Sequence, residues 1–170
     1  MRILALHGYH GSAEQLRRQL DWLDVFAFDA PSRADGDFGW WHARDGRYVG
    51  WERTRDAIGE LLAKHSFDGV LGFSQGAVLT SLLVGLFEFR FAIMIGGFPS
   101  RDPAHAEIYA RTERYARPSL HIIGRADTVV PPDASRMLAA RFHEPTILEH
   151  AGGHVIPTSD DVRAAIATIV

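Results

Sequence analysis

The sequence alternates short apolar runs with longer segments of helical periodicity, and this alternation continues along the whole chain. It is typical of βα units packed around a mostly parallel sheet. We therefore predict one α/β domain over residues 1–170, built as a three-layer sandwich around a mostly parallel six-stranded sheet. The candidate strands are 2–6, 24–28, 69–73, 91–95, 119–123 and 146–149, and the candidate helices are 13–20, 51–65, 75–87, 132–142 and 160–169.

Two connections, residues 30–50 and 97–118, are too long for simple crossovers. Long connections in a compact domain are usually functional or disordered. The first is too rich in aromatic residues for a disordered tail, so we predict a folded flap at 30–50 and a second, irregular insertion at 97–118. The flap rings could line a pocket or pack a small core beneath the loop, and the sequence leaves both interpretations open. These rings are Phe38, Trp40, Trp41 and Tyr48.

The composition excludes several classes of chemistry and partner. The chain contains no cysteine, which removes zinc-thiolate, iron–sulfur, disulfide and thiol-nucleophile chemistry. Its formal net charge of −3 provides no general attraction to nucleic acid or anionic lipid. No apolar run approaches the roughly 18 residues that a membrane-spanning helix needs. We therefore expect a soluble, cytoplasmic domain that binds neither nucleic acid nor membrane, whereas its oligomeric state does not follow from the sequence.

The segment around Ser74 combines a strand, a glycine-rich turn and a helix. The apolar strand 69–73 runs into the pentapeptide Gly72-Phe73-Ser74-Gln75-Gly76, and an apolar helix follows. A nucleophile elbow has this arrangement, because a tight strand-to-helix turn exposes a serine hydroxyl and side chains two residues to either side would clash. The alternative is a serine that caps a core helix. The strand, pentapeptide and buried helix together favour the nucleophile.

A serine nucleophile needs a histidine base and an acid that orients the base. Asp127 follows the candidate strand 119–123, and His154 follows strand 146–149 behind two glycines. Because the carboxyl ends of parallel strands meet at one edge of a sheet, both loops can converge on Ser74. The sequence therefore predicts a triad of Ser74, Asp127 and His154. The competing residues, to which we give less weight, are Asp102, Asp133 and His150.

The loop after the first strand reads His7-Gly8-Tyr9-His10. Acyl transfer needs backbone N–H donors for the oxyanion, usually one from this loop and one from the residue after the nucleophile. We predict the N–H groups of Tyr9 and Gln75 as these donors, with His10 as a substitute for Tyr9. His7 and His10 also form an H-x-x-H pair, but without a nearby carboxylate or helical frame they make a poor metal site. We expect no metal and no cofactor.

Four motifs in this order resemble a known family. They are Leu6-His7-Gly8, the pentapeptide 72–76, the acid segment 124–131 and Gly153-His154-Val155-Ile156-Pro157. Together they are similar to the serine hydrolases related to the human ovarian-cancer-associated hydrolase, within the α/β-hydrolase superfamily. The resemblance implies a compact α/β-hydrolase core, with Ser74 as nucleophile, His154 as base, Asp127 as orienting acid, and Tyr9 and Gln75 as oxyanion donors.

The expected function is hydrolysis of a small-molecule carboxylic ester or thioester through an acyl-enzyme intermediate. Two alternatives stay open, namely an acyltransferase with the same triad and a catalytically silent binding protein with this fold. Substrate preference should depend on the long connections, because they supply the residues around the expected active site. The candidate pocket residues are His10, Trp40, Trp41 and Phe98.

Overall fold

The computed structural model describes residues 1–112 and 115–170 and contains a central six-stranded sheet. All five pairs of neighbouring strands are parallel, and across the sheet the strands lie in the order 146–150, 119–124, 91–95, 69–73, 3–6 and 25–28. The prediction of a mostly parallel six-stranded sheet is confirmed, with strand ends within one residue of those expected. The strands are β1 (Ile3–Leu6), β2 (Val25–Phe28), β7 (Gly69–Phe73), β8 (Phe91–Ile95), β9 (Ser119–Gly124) and β10 (Thr146–His150).

Helices cover both faces of this sheet and complete three layers. Successive residues of β1 point to opposite faces, so Leu4 and Leu6 join one apolar cluster while Ile3 and Ala5 join the other. The predicted helices are observed as α1 (Ala13–Gln19), α2 (Trp51–Lys64), α3 (Gln75–Leu83), α5 (Pro132–Ala139) and α6 (Asp160–Ile169). Helices α2 and α3 pack in the first cluster, and helices α1 and α6 pack in the second.

Helix α3 is buried along its whole length, since all nine of its residues are buried. This burial explains the absence of a polar face in its sequence, because a helix enclosed by other elements needs no solvent-facing stripe. It ends at Leu83, four residues earlier than predicted, because the amides of Gly85 and Leu86 bond the carbonyls three residues before them. Among the described helices, none combines the length and apolarity needed to cross a membrane.

The flap is folded into two β-hairpins. The first pairs β3 (Ser32–Ala34) with β4 (Asp37–Gly39), and the second pairs β5 (His42–Arg44) with β6 (Arg47–Val49). Each hairpin turns at an Asp-Gly dipeptide whose two residues both have positive φ. Asp-Gly is a strong hairpin signal, because both residues tolerate that conformation. The aromatic residues predicted a folded flap but not these four strands.

We had expected the second insertion, residues 97–118, to be irregular, but it contains helical structure. It contains a 3-10 turn at Pro103–His105 and the helix α4 (Ala106–Thr112), while residues 113 and 114 lie outside the described part of the chain. The turn begins at Asp102, whose carboxylate accepts the N–H of Ala104. A proline directly after an N-capping aspartate is a helix-start signal that the prediction overlooked.

Asp102 also ties the second insertion to the flap. Its carboxylate accepts the N–H of Tyr48 at 2.8 Å and a guanidinium N–H of Arg47 at 3.0 Å. Burial opposes the charge of Asp102, but the bonds from Ala104, Tyr48 and Arg47 hold the pKa of this carboxyl below its usual value. The Tyr48 hydroxyl in turn accepts the N–H of Arg101 at 2.9 Å. The two long connections therefore fold against each other.

His121 lies in β9 and makes stability depend on pH. Its side chain is 2% exposed and packs against the Phe142 ring, with centroids 4.9 Å apart. Burial lowers the pKa of His121 to about 3, and burial also lowers the pKa of His7 and of His105. Below about pH 6.5 these histidines become protonated in the unfolded chain but stay neutral in the folded protein. Above that pH they do not change the free energy of unfolding. Below it, the free energy of unfolding decreases as the pH falls toward the folded pKa values.

We expect His121→Leu to reduce the loss of stability on acidification. At about pH 5 the preferential protonation of unfolded His121 destabilises the fold by about 2 kcal/mol, and leucine removes this contribution. The measurement is the free energy of unfolding in urea at about pH 7 and at about pH 5. His143→Leu, which removes an exposed histidine, is the control. An unchanged difference between the two pH values in His121→Leu would show that His121 does not carry the effect.

Candidate active site

Ser74 occupies a strained turn between β7 and α3. Its backbone has φ 54° and ψ −117°, a conformation that residues other than glycine rarely adopt. The Ser74 N–H donates to the carbonyl of Ile95 at 2.9 Å, which anchors the turn to β8. Helix α3 begins at the next residue. The serine side chain is therefore held at the carboxyl end of the sheet by the strand before it and the helix after it.

The two glycines of the pentapeptide are required by close backbone approach. A Cβ atom on Gly72 would lie 2.1 Å from the carbonyl oxygen of Gly76, and one on Gly76 would lie 2.1 Å from the carbonyl oxygen of Leu6. Neither position can hold a side chain without moving the backbone. Gly8 is also near, since its Cβ would lie 3.2 Å from the Cβ of Ser74. The first turn of α3 thus presses against the end of β1 and the loop that follows it.

The structure brings Ser74, His154 and Asp127 into one hydrogen-bonded chain. The distance from His154 Nε2 to Ser74 Oγ is 2.8 Å, and that from His154 Nδ1 to Asp127 Oδ2 is 2.6 Å. The other oxygen of Asp127 accepts the N–H groups of Val129 at 2.9 Å and Val130 at 2.8 Å. These backbone bonds orient the carboxylate toward the imidazole. With Nδ1–H donated to Asp127, Nε2 is free to accept the serine proton.

The loop that carries His154 is tied to the loop that carries Asp127. The N–H of Arg125 donates to the carbonyl of His150 at 2.8 Å, and the N–H of Ala126 donates to that of Gly152 at 3.1 Å. Gly96, with φ +58°, leaves room for the imidazole, because a Cβ there would lie 3.1 Å from His154 Cε1. The carboxyl ends of β8, β9 and β10 together determine where His154 lies.

The residues that compete for the triad positions make other contacts. His150 Nδ1 accepts the N–H of Gly152 at 3.1 Å, and burial lowers the pKa of His150. Asp133 is exposed and pairs with Arg136, while Asp102 joins the flap to the second insertion as described above. Each therefore has a local structural role, away from the Ser74 hydroxyl.

The predicted oxyanion donors are the backbone N–H groups of Tyr9 and Gln75. In residues 1–112 and 115–170, the N–H groups of Tyr9 and Gln75 have no hydrogen-bond acceptor. Gln75 N–H is the first amide of α3, where helix geometry leaves amides unpaired and the helix dipole favours negative charge. Tyr9 follows Gly8, which borders Ser74. Both amides stay candidates for the oxyanion hole.

A cavity of about 770 Å³ opens beside Ser74. Of the four predicted pocket residues, Trp41 and Phe98 line this cavity, whereas Trp40 and His10 do not. The His10 ring instead bonds the Ala34 carbonyl at 3.1 Å and borders a separate, smaller hollow. The Tyr48 ring of the flap also lines the cavity beside Ser74. The lining residues that no sequence signal had indicated are His42, Ala43, Arg44, Asp45, Gly46, Arg101, Val129 and Val130.

Among the described residues, no group of three or more His, Cys, Asp or Glu side chains is arranged so that it could hold a metal ion. In the H-x-x-H pair, His7 donates from Nδ1 to the Gly8 carbonyl at 2.7 Å and accepts the Ala30 N–H at Nε2 at 3.1 Å. Burial lowers the pKa of His7, which keeps the ring neutral for this pair of bonds. His7 thus supports the chain rather than offering a free nitrogen.

Comparison with known proteins decides the family. Residues 24–166 match the model of the FSH1 serine hydrolase family. The chain belongs to this family. It is 32% identical to the esterase OVCA2 of Xenopus tropicalis, over 92% of this chain and 86% of that protein. It is also 32% identical to an esterase of Drosophila melanogaster, over 94% of this chain and 69% of that protein.

The fold agrees with that family. A carboxylesterase from Mesorhizobium loti superposes with a TM-score of 0.73 at 24% sequence identity, covering 98% of this chain and 88% of that one. The central sheet and its helices therefore form an α/β-hydrolase fold. Family and relatives together make the protein a serine hydrolase of the esterase type.

In this FSH1 hydrolase the Trp40 side chain is buried beneath the flap. It is 0% exposed, stacks on the His7 ring at 5.0 Å, and donates from Nε1 to the His7 carbonyl at 2.8 Å. For Trp40, the interpretation as a small core beneath the loop is the right one. Trp41 faces the cavity and stacks on Tyr48, with centroids 4.6 Å apart. Adjacent tryptophans thus have different roles.

The side chain of Gln75 clamps the flap to the nucleophile turn. Its Oε1 accepts the N–H of Trp40 at 2.9 Å, and its Nε2 donates to the carbonyl of Trp41 at 2.9 Å. The sequence motifs had indicated a role only for the backbone N–H of Gln75. A glutamine at the start of a buried helix was the signal that could have suggested a buried hydrogen-bonding role for its side chain.

Replacing Gln75 by alanine should destabilise the protein and loosen the flap. The variant keeps the backbone N–H but leaves the Trp40 amide and the Trp41 carbonyl unpaired, at a cost of about 1–3 kcal/mol for each buried group. Urea unfolding measures the cost, and hydrogen exchange over residues 30–50 measures the opening of the flap. Gln15→Ala, at an exposed glutamine of α1, is the matched control. Equal stability and equal exchange in Gln75→Ala would contradict the clamp.

Proposed function

We propose that this FSH1 serine hydrolase cleaves a small-molecule carboxylic ester or thioester through an acyl-enzyme intermediate, with Ser74 as nucleophile. The observation that carries the proposal is the chain of hydrogen bonds from Ser74 Oγ through His154 to Asp127, at 2.8 and 2.6 Å. A serine hydroxyl is a weak nucleophile unless a neutral imidazole takes its proton, and this geometry supplies one. The strained turn at Ser74 supports the same role, because strain of this kind is common at functional residues.

In the first half of the reaction, Ser74 Oγ attacks the carbonyl carbon while its proton moves to His154 Nε2. The Asp127 carboxylate stabilises the imidazolium that forms, and the N–H groups of Tyr9 and Gln75 stabilise the oxyanion. The imidazolium then gives its proton to the departing alcohol or thiol as the bond to the acyl carbon breaks. In the second half, His154 deprotonates a water that attacks the acyl-serine, and Ser74 recovers its proton as the acid leaves.

The cavity suits an acyl group of moderate size. Its volume of about 770 Å³ lies within the usual range for small-molecule sites. Trp41, Phe98, Val129 and Val130 give it apolar walls beside Ser74. Apolar walls favour alkyl or aryl acyl groups, because each buried methylene contributes about 0.8 kcal/mol.

Ser74→Ala tests the nucleophile. We expect the variant to lose labelling by a fluorophosphonate probe and to lose ester hydrolysis by at least about a thousand-fold, because no other group replaces the attacking oxygen. Mass spectrometry of the labelled wild-type protein should place the adduct on Ser74. Ser66→Ala, at an exposed serine, is the control and should keep both signals. Labelling of Ser74→Ala at the wild-type level, or an adduct at another residue, would refute the proposal.

Phe98→Ala and Trp40→Ala should separate substrate preference from stability. Phe98 lines the cavity, so its removal should shift the preference toward longer acyl chains, by up to about four-fold in kcat/KM for each extra buried methylene. Trp40 lies outside the cavity and is fully buried, so its removal should cost about 3–5 kcal/mol of stability. A series of 4-nitrophenyl esters and urea unfolding measure the two effects. An unchanged chain-length profile in Phe98→Ala would contradict its place in the acyl site.

A further inference from the structure

Two arginines line the cavity without an acidic partner. Arg44 lies in β5 of the flap, and Arg101 lies in the second insertion. Among the described residues, neither guanidinium forms an ion pair or donates a side-chain hydrogen bond. Asp45 is the acidic residue among those that line the cavity. The wall of the cavity thus carries more positive than negative side-chain charge.

An arginine at position 44 does not stabilise the second hairpin. In the register of the second hairpin, Arg44 lies directly opposite Arg47. Like charges at directly opposed positions destabilise an antiparallel pair. Arg47 is neutralised by Asp102 at 3.0 Å, whereas Arg44 has no such partner. Arg44 therefore has an unpaired positive charge although it lies opposite another arginine, Arg47.

Asp102 does not neutralise Arg101 either. Its carboxylate already accepts bonds from Arg47, Tyr48 and Ala104. The Arg101 guanidinium instead lies over the ring of Phe98, with 5.2 Å from Cζ to the ring centroid. Phe98 lines the same cavity, so this contact holds the guanidinium at the cavity wall. Its N–H donors remain free for an anion, and a guanidinium matches a carboxylate in geometry.

The electrostatic setting strengthens the case for an anionic ligand. The whole chain has a formal net charge of −3, whereas the charged arginine and acidic side chains on the cavity wall are two arginines and one aspartate. A concave site with apolar walls concentrates the field of its charges. The Tyr9 hydroxyl and His42 Nδ1, which also lie on the wall, are hydrogen-bonded to each other at 2.8 Å.

We propose that the cavity selects esters that carry a second, negatively charged carboxylate, which Arg44 and Arg101 bind while Ser74 attacks the ester carbonyl. This inference rests on the proposed esterase function. The reaction is ordinary hydrolysis, in which the ester C–O bond breaks, water supplies the hydroxyl and the proton, and the bound carboxylate is unchanged. The charge can belong to the acid part or to the alcohol part of the ester, and the two cases need separate substrates.

Matched pairs of esters test the proposal. For the acid part, 4-nitrophenyl hydrogen adipate is compared with 4-nitrophenyl methyl adipate, which has the same chain without the charge. For the alcohol part, 3-carboxyphenyl butyrate is compared with its methyl ester. The readout is the ratio of kcat/KM for the anionic ester to kcat/KM for the neutral one, with release of the phenol measured for each pair.

The variants change the charge of the cavity in both directions. Arg44→Gln and Arg101→Gln should each lower the ratio by about three- to ten-fold in at least one pair, and the double variant should lower it further. Asp45→Asn should raise the ratio, and asparagine tolerates the positive φ of 49° at that turn. Added salt should lower the ratio of the wild-type protein.

Arg33→Gln is the matched control. Arg33 belongs to the same flap and lies over an aromatic ring, that of Phe38, at 4.5 Å, but it does not line the cavity. The control therefore loses the same charge and the same kind of ring contact away from the site, and its ratio should equal that of the wild type.

The outcomes separate this proposal from the esterase function. A response in the adipate pair places the anion in the acid part, and a response in the butyrate pair places it in the alcohol part. If both ratios are unchanged in the double variant while hydrolysis still depends on Ser74, the anion site is wrong and the esterase stands. If no ester of either pair is hydrolysed in a Ser74-dependent way, the proposed function fails and the anion site fails with it.

Discussion

The structure depends on the close approach of helix α3 to strand β1. Gly76 lies against the carbonyl of Leu6, and Gly72 lies against the carbonyl of Gly76, so there is no space for a Cβ atom at either position. This contact forces a sharp turn at Ser74, with positive φ, and aims its side chain away from the packed layers. The same contact brings the loop after β1 next to Ser74. One packing constraint therefore places both the hydroxyl and a neighbouring backbone amide.

The flap is attached to this turn by buried polar contacts. The side chain of Gln75 bonds the main chain at Trp40 and Trp41, and the Trp40 indole bonds the carbonyl of His7. Buried polar groups are costly when unpaired, so these contacts act together to specify one position of the flap. Asp102 joins the flap to the second insertion in a similar way. The walls of the cavity are therefore attached directly to the residues that surround Ser74.

Local signals predicted the sheet and the order of its strands along the chain, because buried parallel strands are continuous apolar runs. They also selected Ser74, Asp127 and His154, and the structure brings these three side chains into hydrogen-bond contact. The cavity was harder to predict. Trp40 and Trp41 are adjacent and chemically identical, yet one is enclosed and the other faces the cavity. Periodicity could not separate them, because they lie between two strands, β4 and β5, that are only three residues long each.

By itself, the sequence determined the fold class, the strained serine turn and the residues that can form a triad, because each depends on local patterns of apolar residues and glycine. The tertiary structure alone decided which side chains line the cavity. Arg44 and Arg101 are far apart in the chain, and only the packing of the flap against the second insertion puts both on one wall. Their lack of acidic partners also depends on that packing, since Asp102 bonds Arg47 instead. When a site is built from distant segments, its net charge depends on which acidic and basic side chains pair in the folded protein. No local sequence pattern specifies that pairing.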